Sequence, residues 1–264
     1  MPVMNMIRAL LIVSLTLAVT GVAYGAYPGT YGLQDGPTLH LGSVEIRVSN
    51  DAGNTAVVVG PKTATLAGAY GIPTMMTTNT PLGLFHDGSR FVLQSVGIAK
   101  RTSFVVVRSD DLQVAQTVSL DGSYAFDALS PDGRMLYLIE HRSSDLQHYV
   151  VRAYDLDAQR LMPGRIADKT QASWVMEGWP AARAVTPNGR WVYTLYSNPG
   201  GFPFVHALDT VNGVAHCVGF AWHGDQNQLL RYHLVLAGNR LLLRRPNGTL
   251  YRAVDRATWA VRKR

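Results

Sequence analysis

Three residues stand at matching places in the sequence and carry an acid, a base and an imidazole: Asp127, Arg183 and His233. Each lies seven positions before the arginine that follows a turn signal, at Arg134, Arg190 and Arg240; the matching place in an earlier unit is Leu82. Brought to one mouth, such a trio would bind a small polar ligand. The acid and guanidinium alone would instead satisfy each other and plug the opening, because buried charges must be paired. A one-residue shift around Gly238-Asn239 would put Tyr232 in place of His233.

Other chemistry is sparse. His216, Cys217, His223 and Asp225 lie within ten residues and are of types that hold soft or borderline metals. Their spacing fits no closed zinc pattern, and neighbours on a strand point to opposite faces, so no metal ligand is assigned. His141 and His148 flank a polar connection and read as solvated. No nucleophile elbow, His-Glu-x-x-His, Cys-x-x-Cys or phosphate-cradling glycine loop occurs, and no catalytic residue is assigned. Trp174 and Trp179 lie in the polar insertion DKTQASWVMEGWP, and form either a recognition surface or inter-unit packing. Arg244 and Arg245 belong to a basic C-terminal stretch. From Arg231 to Arg264 there are nine Lys/Arg against one acid, Asp255, a net of +8 that leaves −2 for the rest of a +6 chain.

The elements that must position these residues repeat. SPDGRMLYLIE from Ser130 returns as TPNGRWVYTLY from Thr186, and in degraded form as HDGSRFVLQS and AGNRLLLRR. Proline presets the turn, Asp or Asn suits its next place, and glycine accepts the left-handed backbone that releases the following strand. Glycines 88, 133, 189 and 238 fall 45, 56 and 49 residues apart, an internal repeat. Asp110, Asp155, Asp209 and Asp255 follow at 22, 22, 20 and 17 residues, each closing an apolar run. They are expected to accept hydrogen bonds from the amides of their own turns. Four short antiparallel strands per repeat predict an all-β fold, a β-propeller of four-stranded antiparallel blades. The count is five, near 38–80, 81–122, 123–180, 181–228 and 229–264, with six blades or an incomplete ring left open.

The S-P-D-G-R-x-L-Y turn, with an apolar-Asp segment about 20 residues later, resembles the YVTN-type, WD-repeat-like β-propeller repeat of secreted and periplasmic proteins. The resemblance implies a fold and leaves function open, because propellers host lyases, lactonases, dehydrogenases and binding scaffolds alike.

At the N-terminus, Arg8, the apolar run ALLIVSLTLAV and Ala23-Tyr24-Gly25 read as a signal peptide over 1–25, followed by a linker at 26–37 and the propeller domain at 38–264. Cleavage would leave no membrane span; the other reading is an uncleaved N-terminal anchor. The lone Cys217 allows no intrachain disulfide and is expected as a small buried apolar residue, the other reading in an exported chain being a disulfide between molecules; nucleic acid is not an expected partner outside the cytoplasm. The expected function is a non-catalytic binding scaffold outside the cytoplasmic membrane, without cofactor, for a protein, a small ligand or an anionic envelope polymer. The other class is a propeller lyase or hydrolase similar to streptogramin lyases, using channel residues and a divalent metal.

Overall fold

The computed structural model describes residues 30–33, 38–75, 80–97, 100–168 and 173–263. The signal segment and most of the linker lie outside the described residues. Inside the linker stretch, β1 (Thr30–Leu33) pairs antiparallel with β6 (Tyr70–Met75).

The chain is nearly all β and forms five antiparallel sheets in chain order. Sheet 1 holds β2 (Leu39–Leu41), β3 (Val44–Asp51), β4 (Asn54–Val59) and β5 (Lys62–Ala67). Sheet 2 runs β1-β6-β8-β9-β10, with β7 (Thr80–Pro81), β8 (Arg90–Ser95), β9 (Arg101–Arg108) and β10 (Val114–Asp121). Sheet 3 has β11 (Tyr124–Leu129), β12 (Met135–His141), β13 (His148–Asp155) and β14 (Arg160–Leu161), with β15 (Met176–Glu177) beside β13. Sheet 4 is β16 (Trp179–Val185), β17 (Trp191–Ser197), β18 (Phe204–Asp209) and β19 (Val214–Gly219). Sheet 5 is β20 (His233–Ala237), β21 (Arg240–Arg244), β22 (Leu250–Asp255) and β23 (Val261–Arg262).

Five sheets match the five units, but the first boundary moves. The expected unit 38–80 takes in β6, whereas β6 joins sheet 2 through Tyr70–Ser95 and Gly71–Gln94. Sheet 1 completes four strands at Ala67 without it.

Side-chain alternation explains how the sheets stack. In sheet 2, Phe91, Leu93, Val105 and Val107 enter one core with Ile46 and Val57 of sheet 1. Their neighbours Val92, Phe104 and Val106 enter another with Phe126, Leu136 and Leu138 of sheet 3. Sheets 3 and 4 share a third core around Tyr149, Tyr196 and Phe204, and sheets 4 and 5 a fourth around Leu195, Leu229 and Leu243. A sheet buried on both faces needs apolar residues at consecutive positions, which is why its strands read FVL, FVVV and LYLI. Sheets 1 and 5 alternate buried with exposed residues along VEIRVS and buried with exposed or half-buried ones along RLLLR, the pattern of a sheet with one covered face. Among the described residues no core joins sheet 5 to sheet 1.

The repeated turns carry the expected chemistry. Asp155 accepts from the amides of Asp157 and Ala158, Asp209 from Val211 and Asn212, and Asp255 from Ala257 and Thr258. Arg134 and Arg190, just after the glycine, bond Asp155 at 2.7 Å and Asp209 at 2.8 Å. The Arg134 bond, helped by the turn amides, lowers the Asp155 carboxyl to about 2. In sheet 2 the duty passes from the expected Asp110 to Asp111, which accepts from the Gln113 amide and from Arg108.

Candidate functional site

The first strands of sheets 3 and 4, the 81–86 segment of sheet 2 and Leu39 of sheet 1 meet around one open cavity of about 290 Å3. Its rim is made by the repeated turns themselves, Ser130-Pro131 and Thr186-Pro187 with Gly189. Its walls are largely apolar, including Leu82, Phe126, Val185 and Val192.

Asp127 and Arg183 both line this cavity and are joined. Arg183 Nη1 donates to Asp127 Oδ1 at 2.9 Å, and Nη2 donates to the Asp127 backbone oxygen. Their side chains are 3% and 9% exposed. Local backbone makes the meeting geometric: β11 bulges between Phe126 and Ala128, so Asp127 stands out of the ladder. The pair is therefore the self-satisfied ion pair at the mouth, with its charges already matched.

His233 is not with them. It is exposed, pairs with Arg244 across sheet 5, and is absent from the lining of the cavity. The cause is the turn. In sheet 3 four residues separate the bonded Ser130 and Met135, and in sheet 4 four separate Thr186 and Trp191. In sheet 5 only Gly238 and Asn239 separate the paired Ala237 and Arg240. Counting across a tighter turn shifts the register, and the position matching Asp127 and Arg183 is buried Leu234; the alternative Tyr232 does not match either.

The lining hydroxyls are spent on the fold. Ser130 Oγ donates to Asp132 and accepts from the Met135 amide, and Thr186 Oγ1 accepts from the Trp191 amide. The imidazole that does line the cavity is His86, which sequence register missed. Its signal was present: it stands where Pro131 and Pro187 begin the other turns.

The remaining candidates are placed as follows. Trp174 is half-buried, and its ring meets Phe204 edge-on at 5.0 Å against the core between sheets 3 and 4. Trp179 opens β16 half-buried, its carbonyl accepting from Ser197 Oγ. Arg244 and Arg245 are half-buried and brace the Asn247-Gly248 turn by donating to the oxygens of Gly248 and Leu250. Arg245 and Arg252 also stack over Tyr251 at 5.1 and 4.1 Å. Among the described residues no arginine from Arg231 to Arg262 stands within 4.0 Å of a carboxylate, and Asp255, which feels the charge of Arg262, offsets only a small part of the positive charge of this region.

His216 and Cys217 do point to opposite faces: the His216 ring lies tilted against Trp259 with centroids 4.6 Å apart, while Cys217 Sγ faces His206. Among the described residues no group of three or more His, Cys, Asp or Glu is arranged to hold a metal. His141, expected in solvent, is buried, with Nδ1 3.1 Å from the Leu146 oxygen, and burial lowers it to about 4. No described helix is long and apolar enough to cross a membrane.

No protein-family model matches the sequence, and no curated protein matches it. Solved structures do. TolB from Acinetobacter baumannii aligns at 13% identity and TM-score 0.45, covering 86% of this chain and 53% of that one. A Bacteroides uniformis protein described as a 6-phosphogluconolactonase aligns at 16% and 0.48, covering 86% and 68%. A prolyl endopeptidase aligns at 10% and 0.50, covering 90% and 36%. This chain thus spans about half the TolB length and about a third of the peptidase's. At such identities the likeness is one of fold alone, and that fold is β-propeller-like.

Proposed function

We propose that the chain is an exported, five-bladed propeller of the YVTN-like type, working as a binding scaffold that takes a small ligand or a partner's side chain in the cavity between sheets 1 to 4. The cavity's composition carries this reading. It offers apolar walls and a pre-paired charge, which suit recognition. It offers no nucleophile beside a free base, since Ser130 and Thr186 are tied into turns and Asp127 into Arg183. A metal-assisted lyase or hydrolase would need several free carboxylates or imidazoles at the mouth, where His86 stands without a second. Export rests on the charged, apolar and small-residue order of 1–25.

The test fills the cavity. Val185 lines it and is 44% exposed, so Val185→Trp occupies the space without emptying a core. Ligand-observed NMR with a library of apolar and anionic fragments should give hits on the wild-type protein that vanish in Val185→Trp. Hits untouched by the substitution, or none at millimolar concentration, would remove the cavity from consideration. Hydrolysis of lactone or ester members of the same library would restore the enzyme reading.

A further inference from the structure

Sheet 5 has one face outside the hydrophobic cores, and alternation decides what stands on it. Leu241 and Leu243 turn into the core shared with sheet 4. Arg240, in the cross-strand row Ala237–Arg240–Asp255, and Leu242, in the row Val235–Leu242–Ala253, therefore turn outward. Arg262 extends the second row beside Ala253. A concavity of about 340 Å3 lies here, lined by Arg240, Leu250, Ala253, Asp255, Arg262 and Lys263.

The turn explains why Arg240 is free to line it. In sheets 3 and 4 the residues opposite Asp155 and Asp209 are Met135 and Trp191, and the arginine one place earlier bonds the carboxylate. The two-residue turn of sheet 5 puts Arg240 itself opposite Asp255, where it has no ion pair or hydrogen bond among the described residues. Neighbouring arginines are occupied. Arg244 donates to the Gly248 oxygen, Arg252 to the Tyr251 oxygen, and Arg256 to the Tyr193 hydroxyl and the Gly238 oxygen. Arg262 and Lys263, like Arg240, are exposed and donate to no described group. Asp255 is the one acid in the wall. The Thr258 amide, then that of Ala257, holds its carboxyl below the usual range, and Arg262 adds a smaller pull.

We propose that this concavity binds the terminal phosphate of a phosphate monoester. Charge sets the class: Arg240, Arg262 and Lys263 against Asp255 leave 3 − 1 = +2. A monoester carries about −1.5 to −2 at neutral pH and matches that balance. A carboxylate or a phosphodiester, with a single charge, leaves a surplus. Asp255 works against any anion, and the remaining two charges decide the sign. Two guanidiniums supply forked donors that suit phosphate oxygens, and Lys263 adds a point charge. Leu250 and Ala253 give the ester's carbon end an apolar wall. The volume falls within the roughly 300–1,000 Å3 of small-ligand sites. This site is separate from the cavity between sheets 1 to 4 and does not depend on it.

The full chain would be titrated with phenyl phosphate at neutral pH and constant ionic strength, with phosphorus NMR reading the bound fraction. We expect saturable binding of one molecule per chain, and weaker binding of the singly charged diester methyl phenyl phosphate. Arg240→Gln and Arg262→Gln should each weaken binding about 10-fold, the loss of one hydrogen-bonding charge. Both side chains are exposed and bond nothing described, so neither substitution removes a contact of the fold. Arg231→Gln removes the same charge from the end of the short helix Gln226–Arg231, outside the concavity, and should leave affinity unchanged. A second arm compares vesicles of phosphatidate with vesicles of phosphatidylglycerol at equal surface charge. Stronger retention on phosphatidate names a lipid monoester as the source; equal retention beside saturable phenyl phosphate binding names a soluble one. Absence of saturable binding, a diester bound as tightly, or an equal loss in Arg231→Gln and Arg240→Gln would each overturn the site, leaving only diffuse charge.

Discussion

Asp127 and Arg183 show what a buried charge demands of its neighbours. With side chains 3% and 9% exposed, each depends on the other. Asp127→Asn leaves the guanidinium buried without its counter-charge, a loss of about 3–5 kcal/mol. The double variant Asp127→Leu/Arg183→Met should recover most of that loss in urea denaturation, because no unpaired charge remains. A double variant as unstable as the single one would show that the pair holds the strands by more than mutual neutralisation. His141 makes a second residue-scale prediction. Its ordinary value is 6.5, and burial lowers it to about 4 in the folded chain. Below pH 6.5 the unfolded chain gains a proton that folded His141 refuses until about pH 4. Stability present above pH 6.5 is therefore lost as the pH falls through that window, by up to ~3 kcal/mol. His141→Gln should flatten this limb of a stability–pH curve; an unchanged slope would place the acid sensitivity elsewhere.

At the scale of elements, each hairpin turn is both a local conformation and a contact with the next sheet. Gly133 has φ +70°, and a Cβ there would lie 2.6 Å from the Phe85 ring and 3.0 Å from Arg90 of sheet 2. Gly238 has φ +56° with open space around it. Gly238→Ala should cost about 1 kcal/mol, the left-handed backbone penalty alone. Gly133→Ala should cost about 1–3 kcal/mol more, since the Phe85 ring must also move. Equal losses in thermal unfolding would mean that the sheet 2–sheet 3 contact yields freely.

For the whole molecule, the end sheets set the behaviour. Sheet 5 closes the stack with arginines that outnumber its one acid, Asp255, on a chain whose remainder is slightly acidic. Binding to anionic vesicles should be retained at low salt and lost as salt rises, with each surface charge adding on the order of 1 kcal/mol. Replacing Arg240, Arg252 and Arg262 by Gln should reduce retention without touching the Arg244 and Arg245 turn braces. Equal retention of both proteins at low salt would show that this charge serves solubility alone.

The repeat, the sheet number, the turn aspartates of sheets 3 to 5 and the Asp127–Arg183 meeting were legible in the sequence. All are fixed by chemistry within a few residues, or by a register copied between identical turns. Where the turn changed length, at Gly238-Asn239, the register failed, and His233 was exchanged for Leu234. Burial was legible only in part. Continuous apolar runs announce a sheet covered on both faces, yet nothing local distinguishes buried His141 or His206 from a solvated histidine, or packed Trp174 from an exposed one. Those depend on which sheet arrives opposite, a contact made across dozens of residues. The same holds for β6, whose sequence suits sheet 1 as well as sheet 2; pairing with Ser95 and Gln94 decided it. Local turn chemistry named the pieces, and the stacking of sheet faces chose their neighbours.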